Sequence, residues 1–121
     1  MVAEFNIGSA RRPHVLLEKL DRVLEQNFSN RDFDLPKMAE EMGIGERQLQ
    51  RKLKELTGHT PSAYIRSYRL LKSLDYLKSG ESVRQSAKAV GFSSQAYFAS
   101  CFKGEYGSTP TQYRQRYMQL F

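Results

Sequence analysis

Tryptophan is absent from this chain, cysteine occurs once and histidine twice. The single Cys101 excludes an intramolecular disulfide framework and a cysteine-rich zinc site. His14 and His59 lie far apart in sequence, so a metal site is not expected, and no cofactor is implied. No apolar run approaches the ~20 residues that a membrane span needs. Met1 to Arg12 lacks the apolar centre of a secretory signal, so the expected compartment is the cytoplasm. Acidic residues are a minority, 13 against 19 Lys and Arg, and the formal net charge of +6 points weakly to an anionic partner. Apolar residues make up 40% and charged residues 26% of the 121 positions, which fits one compact domain, or two very small ones sharing a helix.

Hydrophobic spacing predicts helices throughout. Residues 1–12 show no period and read as a flexible tail or an expression remnant. A first helix is expected from Pro13, with Leu16, Leu20, Val23, Leu24 and Phe28 on one stripe. Asn27 to Asp34 is polar and interrupts it. Asp34 and Pro36 start a short helix with Met38, Ala39 and Met42 inward, closed by Gly43. Gly45 opens a helix over 46–56 with Leu49, Leu53 and Leu56 as its buried stripe, ended by Gly58. Thr60-Pro61 caps a long helix carrying Tyr64, Ile65, Tyr68, Leu71, Leu74 and Leu77 toward Gly80. Ser82 with Gln85 and Thr109 with Gln112 read as capping boxes for two further helices. Between them lies a helix over 95–106, with Phe98 and Phe102 inward and Gly107 at its end. No segment alternates with period two, so the expected class is all-α.

The informative signal is an internal repeat. Ala39, Met42, Gly43 and Ile44 recur as Ala87, Val90, Gly91 and Phe92 at an offset of 48. Leu49, Leu53, Lys54, Gly58, Thr60, Pro61 and Tyr64 recur as Phe98, Phe102, Lys103, Gly107, Thr109, Pro110 and Tyr113 at an offset of 49. The second copy therefore carries one extra residue in its turn. Each copy is a short helix, a glycine turn, a longer helix and a Thr-Pro cap. A small alanine permits close helix approach, the glycine permits positive φ, and the next residue plugs the core. That is the composition of a helix-turn-helix, here present twice.

The exposed positions of the second helix in each copy carry the chemistry. In the first, Arg47, Gln50, Arg51 and Lys54 share a face at helical spacing, with Gln48 and Lys52 on one flank. Arginine pairs with guanine and glutamine with adenine through two hydrogen bonds, and lysines suit phosphates. A helix in this place is the one a helix-turn-helix inserts into a groove, so base reading is preferred over a merely solvated surface. In the second copy Gln95 can read a base, Ala96 or Ala99 can touch a thymine methyl, and Lys103 can meet a phosphate. Docking on the backbone alone is nearly as good a reading there. His59 is either a phosphate neighbour or a plain turn residue.

Over Leu16 to Tyr117 the chain resembles the AraC/XylS-type transcription regulators. The resemblance is carried by Met38-Ala-Glu-Glu-Met-Gly-Ile, Gln48-Leu-Gln-Arg-Lys-Leu-Lys-Glu-Leu-Thr-Gly, Pro61-Ser-Ala-Tyr-Ile-Arg-Ser-Tyr-Arg-Leu, Val90-Gly-Phe-Ser-Ser-Gln-Ala-Tyr-Phe-Ala-Ser-Cys-Phe-Lys and Gly107-Ser-Thr-Pro-Thr-Gln-Tyr-Arg. It implies seven helices, two helix-turn-helix units joined by the long helix, and sequence-specific binding to double-stranded promoter DNA by an activator or repressor. The divisions expected are 13–60, 61–79 and 80–121. The family's base-reading positions match Arg47, Gln50 and Arg51 in the first unit and Gln95, Ala96 and Ser100 in the second. Backbone contacts are expected from Lys52, Lys54, His59 and Lys103. The chain departs from the family at Gln85 and Ser86, where an acidic and a large aliphatic residue are usual, at Ser100, where arginine is frequent, and at Gly104. Most relatives join such a module to a sensing or dimerising domain. The first helix and Asp32 to Leu35 look like the output module of hybrid two-component regulators. The isolated module is expected to be monomeric, with dimerisation left to a domain outside this chain and RNA polymerase as a further partner.

Two other functions compete with DNA reading. A helical adaptor that binds the transcription machinery without reading bases predicts exposed apolar residues on the second helix of each unit. An enzyme would need Cys101 and a histidine as a nucleophile pair. Cys101 lies between Phe98 and Phe102, where a buried structural thiol is the better reading. Tyr64, Tyr68, Tyr97 and Tyr113 are expected in the core or at its edge rather than as stacking platforms.

Overall fold

Six of the seven helix starts among the described residues are closed by a side-chain cap that the sequence supplies, and the remaining one, after Gly45, has none. The computed structural model describes residues 14–119, and the expected tail over residues 1–12 and the start at Pro13 lie outside them. Among the described residues there are seven helices and no strand: α1 (Val15–Asn27), α2 (Leu35–Met42), α3 (Glu46–Thr57), α4 (Pro61–Lys78), α5 (Val83–Ala89), α6 (Gln95–Tyr106) and α7 (Pro110–Gln119). His14 Nδ1 accepts from the Leu16 N–H to cap α1, and Asp34, Thr60, Ser82 and Ser94 each accept from a first-turn N–H of their helix. At α7 the capping box is complete. Thr109 Oγ1 accepts from the Gln112 N–H at 3.1 Å, and Gln112 Oε1 accepts from the Thr109 N–H at 2.9 Å.

The two repeats close in the same way. Gly43 and Gly91 take positive φ, 74° and 89°. The Ile44 N–H donates to the Ala39 carbonyl and the Phe92 N–H to the Ala87 carbonyl, so each turn folds back over the end of its first helix. Two cores result. Leu20, Leu24, Met38, Leu49, Leu53 and Tyr64 centre the first, which is largely aliphatic. Phe92, Phe98 and Phe102 centre the second, with ring centroids 5.1 and 5.7 Å apart in tilted and edge-on pairs. Phe28 and Tyr106 pack against both cores.

The long helix α4 serves both cores from different faces, and here the expected single stripe is corrected. Tyr64, Ile65 and Tyr68 enter the first core, while Leu70 and Leu77 enter the second. Leu71 and Leu74 are only half-buried, and the small Ser67 and Ser73 are buried where neighbouring helices come close. Three other expectations change. Leu56 continues the Leu49–Leu53 stripe but sits in the last turn of α3, beyond the packed part, and is 39% exposed. Phe33 falls in the stretch read as polar, yet it is buried in the first core. Cys101 is half-buried at the flank of the second core rather than enclosed in it.

Candidate nucleic-acid interface

Leu49 and Leu53 are fully buried, and they fix the rotation of α3 about its axis. That rotation turns Arg47, Gln50, Arg51 and Lys54 outward together, where they line one open surface groove with Thr60 and Pro61 from the start of α4. The four residues grouped by helical spacing are thus brought to one face. Gln48 is exposed outside this groove, and Lys52 is half-buried. Arg51 Nη1 meets Glu55 Oε1 at 3.5 Å, one turn away. Both side chains are mostly exposed, so this pair is weak and easily exchanged for another anion. Lys54 Nζ donates to the Gly58 carbonyl at 3.0 Å, at the negative end of α3. His59 is half-buried, its ring edge-on to Tyr64 at 6.5 Å between centroids.

Phe98 and Phe102 anchor α6 as the leucines anchor α3. By the repeat offset Arg47, Arg51 and Lys54 correspond to Ala96, Ser100 and Lys103. Gln95, Ala96, Ser100 and Lys103 are exposed, and Ala99 is half-buried. The outward face of α6 is therefore neutral until Lys103. Tyr97 occupies the position of Gln48, packs edge-on to Phe92 at 5.7 Å and is still 49% exposed. This corrects its placement among the core tyrosines and adds an aromatic to the first turn of α6. The sequence signal was available in the repeat, because Gln48 is an outward position. Beside Gln95 lies a second concavity, edged by Arg31, Arg84 and Lys88, residues that sequence spacing does not connect.

The supporting tyrosines are held by carboxylates. The Tyr64 hydroxyl donates to Asp21 Oδ1 at 2.9 Å, and the Tyr68 hydroxyl donates to Glu25, which also pairs with Lys72. Burial pushes the Asp21 carboxyl above its ordinary range, against the Tyr64 hydrogen bond. The hydrogen bonds from Lys72 and Tyr68 hold Glu25 below its ordinary range. Burial raises both phenols, Tyr64 and Tyr68, far above the usual tyrosine value. Among the described residues no group of three His, Cys, Asp or Glu side chains gathers to hold a metal, and no helix is long and apolar enough to cross a membrane.

A family model described as a helix-turn-helix domain matches residues 38–116. Histidine kinase P4 of Formosa agariphila is 34% identical over 107 residues, which is 88% of this chain and 8% of that protein. The HTH-type transcriptional activator RhaS of Mannheimia succiniciproducens is 37% identical over 94 residues, 77% of this chain and 35% of RhaS. The chain thus spans only a small part of one relative and about a third of the other. Among solved structures, a transcriptional regulator with an AraC-type DNA-binding domain from Chromobacterium violaceum superposes with a TM-score of 0.79 at 29% identity, covering 94% of this chain and 98% of that one. The DNA-binding domain of AdpA, solved in complex with a target DNA, gives 0.76 at 28% identity, covering 86% and 93%. With its doubled helix-turn-helix and these matches, the chain belongs to the AraC-type helix-turn-helix family of transcription regulators.

Proposed function

We propose that this module reads double-stranded promoter DNA as a transcription regulator, with α3 and α6 entering successive major grooves on one side of the duplex. The observation that carries the reading is the shared outward face of Arg47, Gln50, Arg51 and Lys54, on a helix whose opposite side is locked by Leu49 and Leu53. Arg47, Gln50 and Arg51 read bases in the first segment; Gln95, Ala96 and Ser100 read the second. Lys52, Lys54 and Lys103 meet phosphates, with His59 beside them. The AdpA domain, whose structure holds a target DNA, has the same architecture. The family is a non-enzymatic one.

The module divides as 13–60, 61–79 and 80–121, the middle piece acting as a spacer. The 18 residues of α4 span roughly 27 Å at 1.5 Å per residue. Successive major grooves on one face of DNA lie ~34 Å apart, and the bodies of the units supply the difference. The module works as a cytoplasmic monomer, and dimerisation belongs to other parts of a longer protein. The match to a histidine kinase supports an output role in a hybrid two-component regulator.

Selection of bound duplexes from a random pool, followed by titration across a salt series, tests this reading. A two-segment site with segments a turn apart, and affinity that falls steeply with salt, is the expected result. A salt-independent response, or recovery of no common site, refutes it. Insertion of Gly-Gly after Lys72 should cut affinity for the two-segment site severely while leaving weak binding to one segment. The exposure of Leu56 and Tyr97 supports one addition, a contact of these flanks with RNA polymerase on the promoter.

A further inference from the structure

We propose that the cleft at the junction of the two units is a second anion site, which grips the phosphodiester backbone beside the DNA segment read by α6. The inference rests on the duplex-binding reading and assigns to it a set of contacts outside both groove-facing helices.

The cleft has a volume of about 600 Å³ and is shared between the units. Ser29 and Arg31 come from the α1–α2 loop, Arg84 and Lys88 from α5, and Ser93 and Gln95 from the turn and first residue of α6. No lining side chain is a carboxylate. Arg31, Arg84 and Lys88 are exposed, and none of them has an ion pair or side-chain hydrogen bond among the described residues. Three uncompensated cations around one concavity raise the local potential for an anion, and two of them are arginines, whose planar donor forks match phosphate oxygens.

The placement of Arg31 against the second unit is built into the fold. Arg69 of α4 donates from Nε to the Phe28 carbonyl at 2.9 Å and from Nη2 to the Asn30 carbonyl at 2.8 Å. These carbonyls flank Ser29 in the chain. Gly91 of the second helix-turn-helix lies directly against the Phe28 carbonyl, with Arg69 beside it. The first unit's loop is thereby clamped to the second unit's turn, and a cation of one unit is presented beside the groove-facing helix of the other.

The occupant is duplex backbone rather than a small free anion because of where the cations stand. They are spread over two elements around one opening that reaches Gln95, the first residue of α6. That spread suits successive phosphates on a strand. It also answers a deficit, since α6 has no cation before Lys103 where α3 carries Arg47, Arg51, Lys52 and Lys54. Phosphate contacts set register while base contacts set preference, and in the second unit most of the first task falls on elements other than α6, which adds Lys103 alone.

The test uses the intact chain with Arg31→Gln, Arg84→Gln and Lys88→Gln, singly and together, on the selected two-segment duplex and on a scrambled one. All three side chains are exposed, so thermal midpoints serve as the folding control. Each cation removed should reduce the slope of log affinity against log salt by about 0.9 on both duplexes. Over a fourfold rise in salt, each single variant then loses about threefold to fourfold less affinity than the parent, and the triple variant roughly fortyfold less. Base preference should be unchanged. Neutral methylphosphonate linkages flanking the second segment should weaken the parent far more than the triple variant, which keeps only Lys103 there. Unaltered slopes in folded variants, displacement by inorganic phosphate with no change in duplex binding, or a changed base preference at constant slope each overturn the proposal. Failure of the parent chain itself to bind any duplex would instead overturn the reading beneath it.

Discussion

Arg69 spans from the long helix to the end of α1 and donates its Nε hydrogen to the carbonyl oxygen of Phe28 at 2.9 Å. Its second bond, to Asn30, makes it a clasp between the spacer and the first unit, and burial lowers the guanidinium pKa below its ordinary value. Arg69→Leu should remove two charge-assisted bonds and strip the Phe28 carbonyl of its partner, while the Asn30 carbonyl keeps the Phe33 N–H, costing about 2–4 kcal/mol in urea unfolding. At a temperature where the variant is folded, affinity for the two-segment duplex should fall far more than affinity for a single segment. Equal losses on both would mean that Arg69 holds only the fold.

Arg51→Ala should cost about 1–3 kcal/mol on the selected site and much less on scrambled duplex, if the guanidinium makes a paired base contact. Ser100→Ala should change either little. Competition titrations against both duplexes measure the difference, and matching losses for Arg51→Ala would reassign it to phosphate.

Gly91 and Gly43 are related by the repeat but not by their surroundings. Both adopt positive φ, so alanine at either place carries the ~1–2 kcal/mol cost of left-handed backbone. At Gly43 a methyl group meets open space, whereas at Gly91 it runs into the Phe28 carbonyl. Chemical denaturation should show Gly91→Ala as clearly the more damaging. Equal destabilisation would contradict the close approach.

Ser86 is fully buried in α5, and its hydroxyl has no hydrogen-bond partner among the described residues. Replacement by alanine removes an unsatisfied group at the loss of little volume, and should raise stability by about 1 kcal/mol, or roughly 4 °C in a thermal melt. Where the family usually has a large aliphatic, the chain buries a hydroxyl without a partner. A lower melting temperature for Ser86→Ala would mean that the hydroxyl is satisfied.

Glu25 and Asp21 should give pH dependences of opposite sign. Lys72 and Tyr68 hold Glu25 below its ordinary value of 4.5, so its contribution is present above that pH and is lost as pH falls through the lower folded value. Burial raises Asp21, so its contribution is greatest at low pH and diminishes as pH rises through its ordinary value of 3.8 toward the folded one. In stability measured from pH 3 to 7, Glu25→Gln should flatten the acid loss, while Asp21→Asn should gain relative to the parent at neutral pH. The same slope from both variants would invalidate the assignment.

Helix ends and turns were legible in the sequence because each rests on local chemistry. Asp34, Thr60, Ser94, Gly43, Gly58 and Gly107 perform the capping roles their types suggest. The face of α3 was legible because two leucines four residues apart define its inward side. What escaped depends on packing between segments distant in sequence. The register of α4 could not be read as one stripe because two cores claim two faces, which buries Leu70, Ser67 and Ser73 and leaves Leu71 at the margin. Phe33 is drawn inward from a polar stretch by the first core. Arg31, Arg84 and Lys88 line one cleft because the Phe28 turn is held to α4 by Arg69 and lies against Gly91 of the second unit.

Phe28 and Tyr106 pack against both cores, and the spacer gives each core one of its walls. A chain severed between Gly80 and Glu81 would leave an amino-terminal piece carrying the exposed Leu70–Leu77 side of α4, and a carboxy-terminal piece with Phe98 and Phe102 uncovered. The first core keeps all its buried residues on the amino-terminal piece, whereas the second core is completed only when the pieces rejoin. The module is thus a natural source of split fragments, whose reassembly would rebuild the second core, restore the α6 face and report the meeting of any two proteins fused to them.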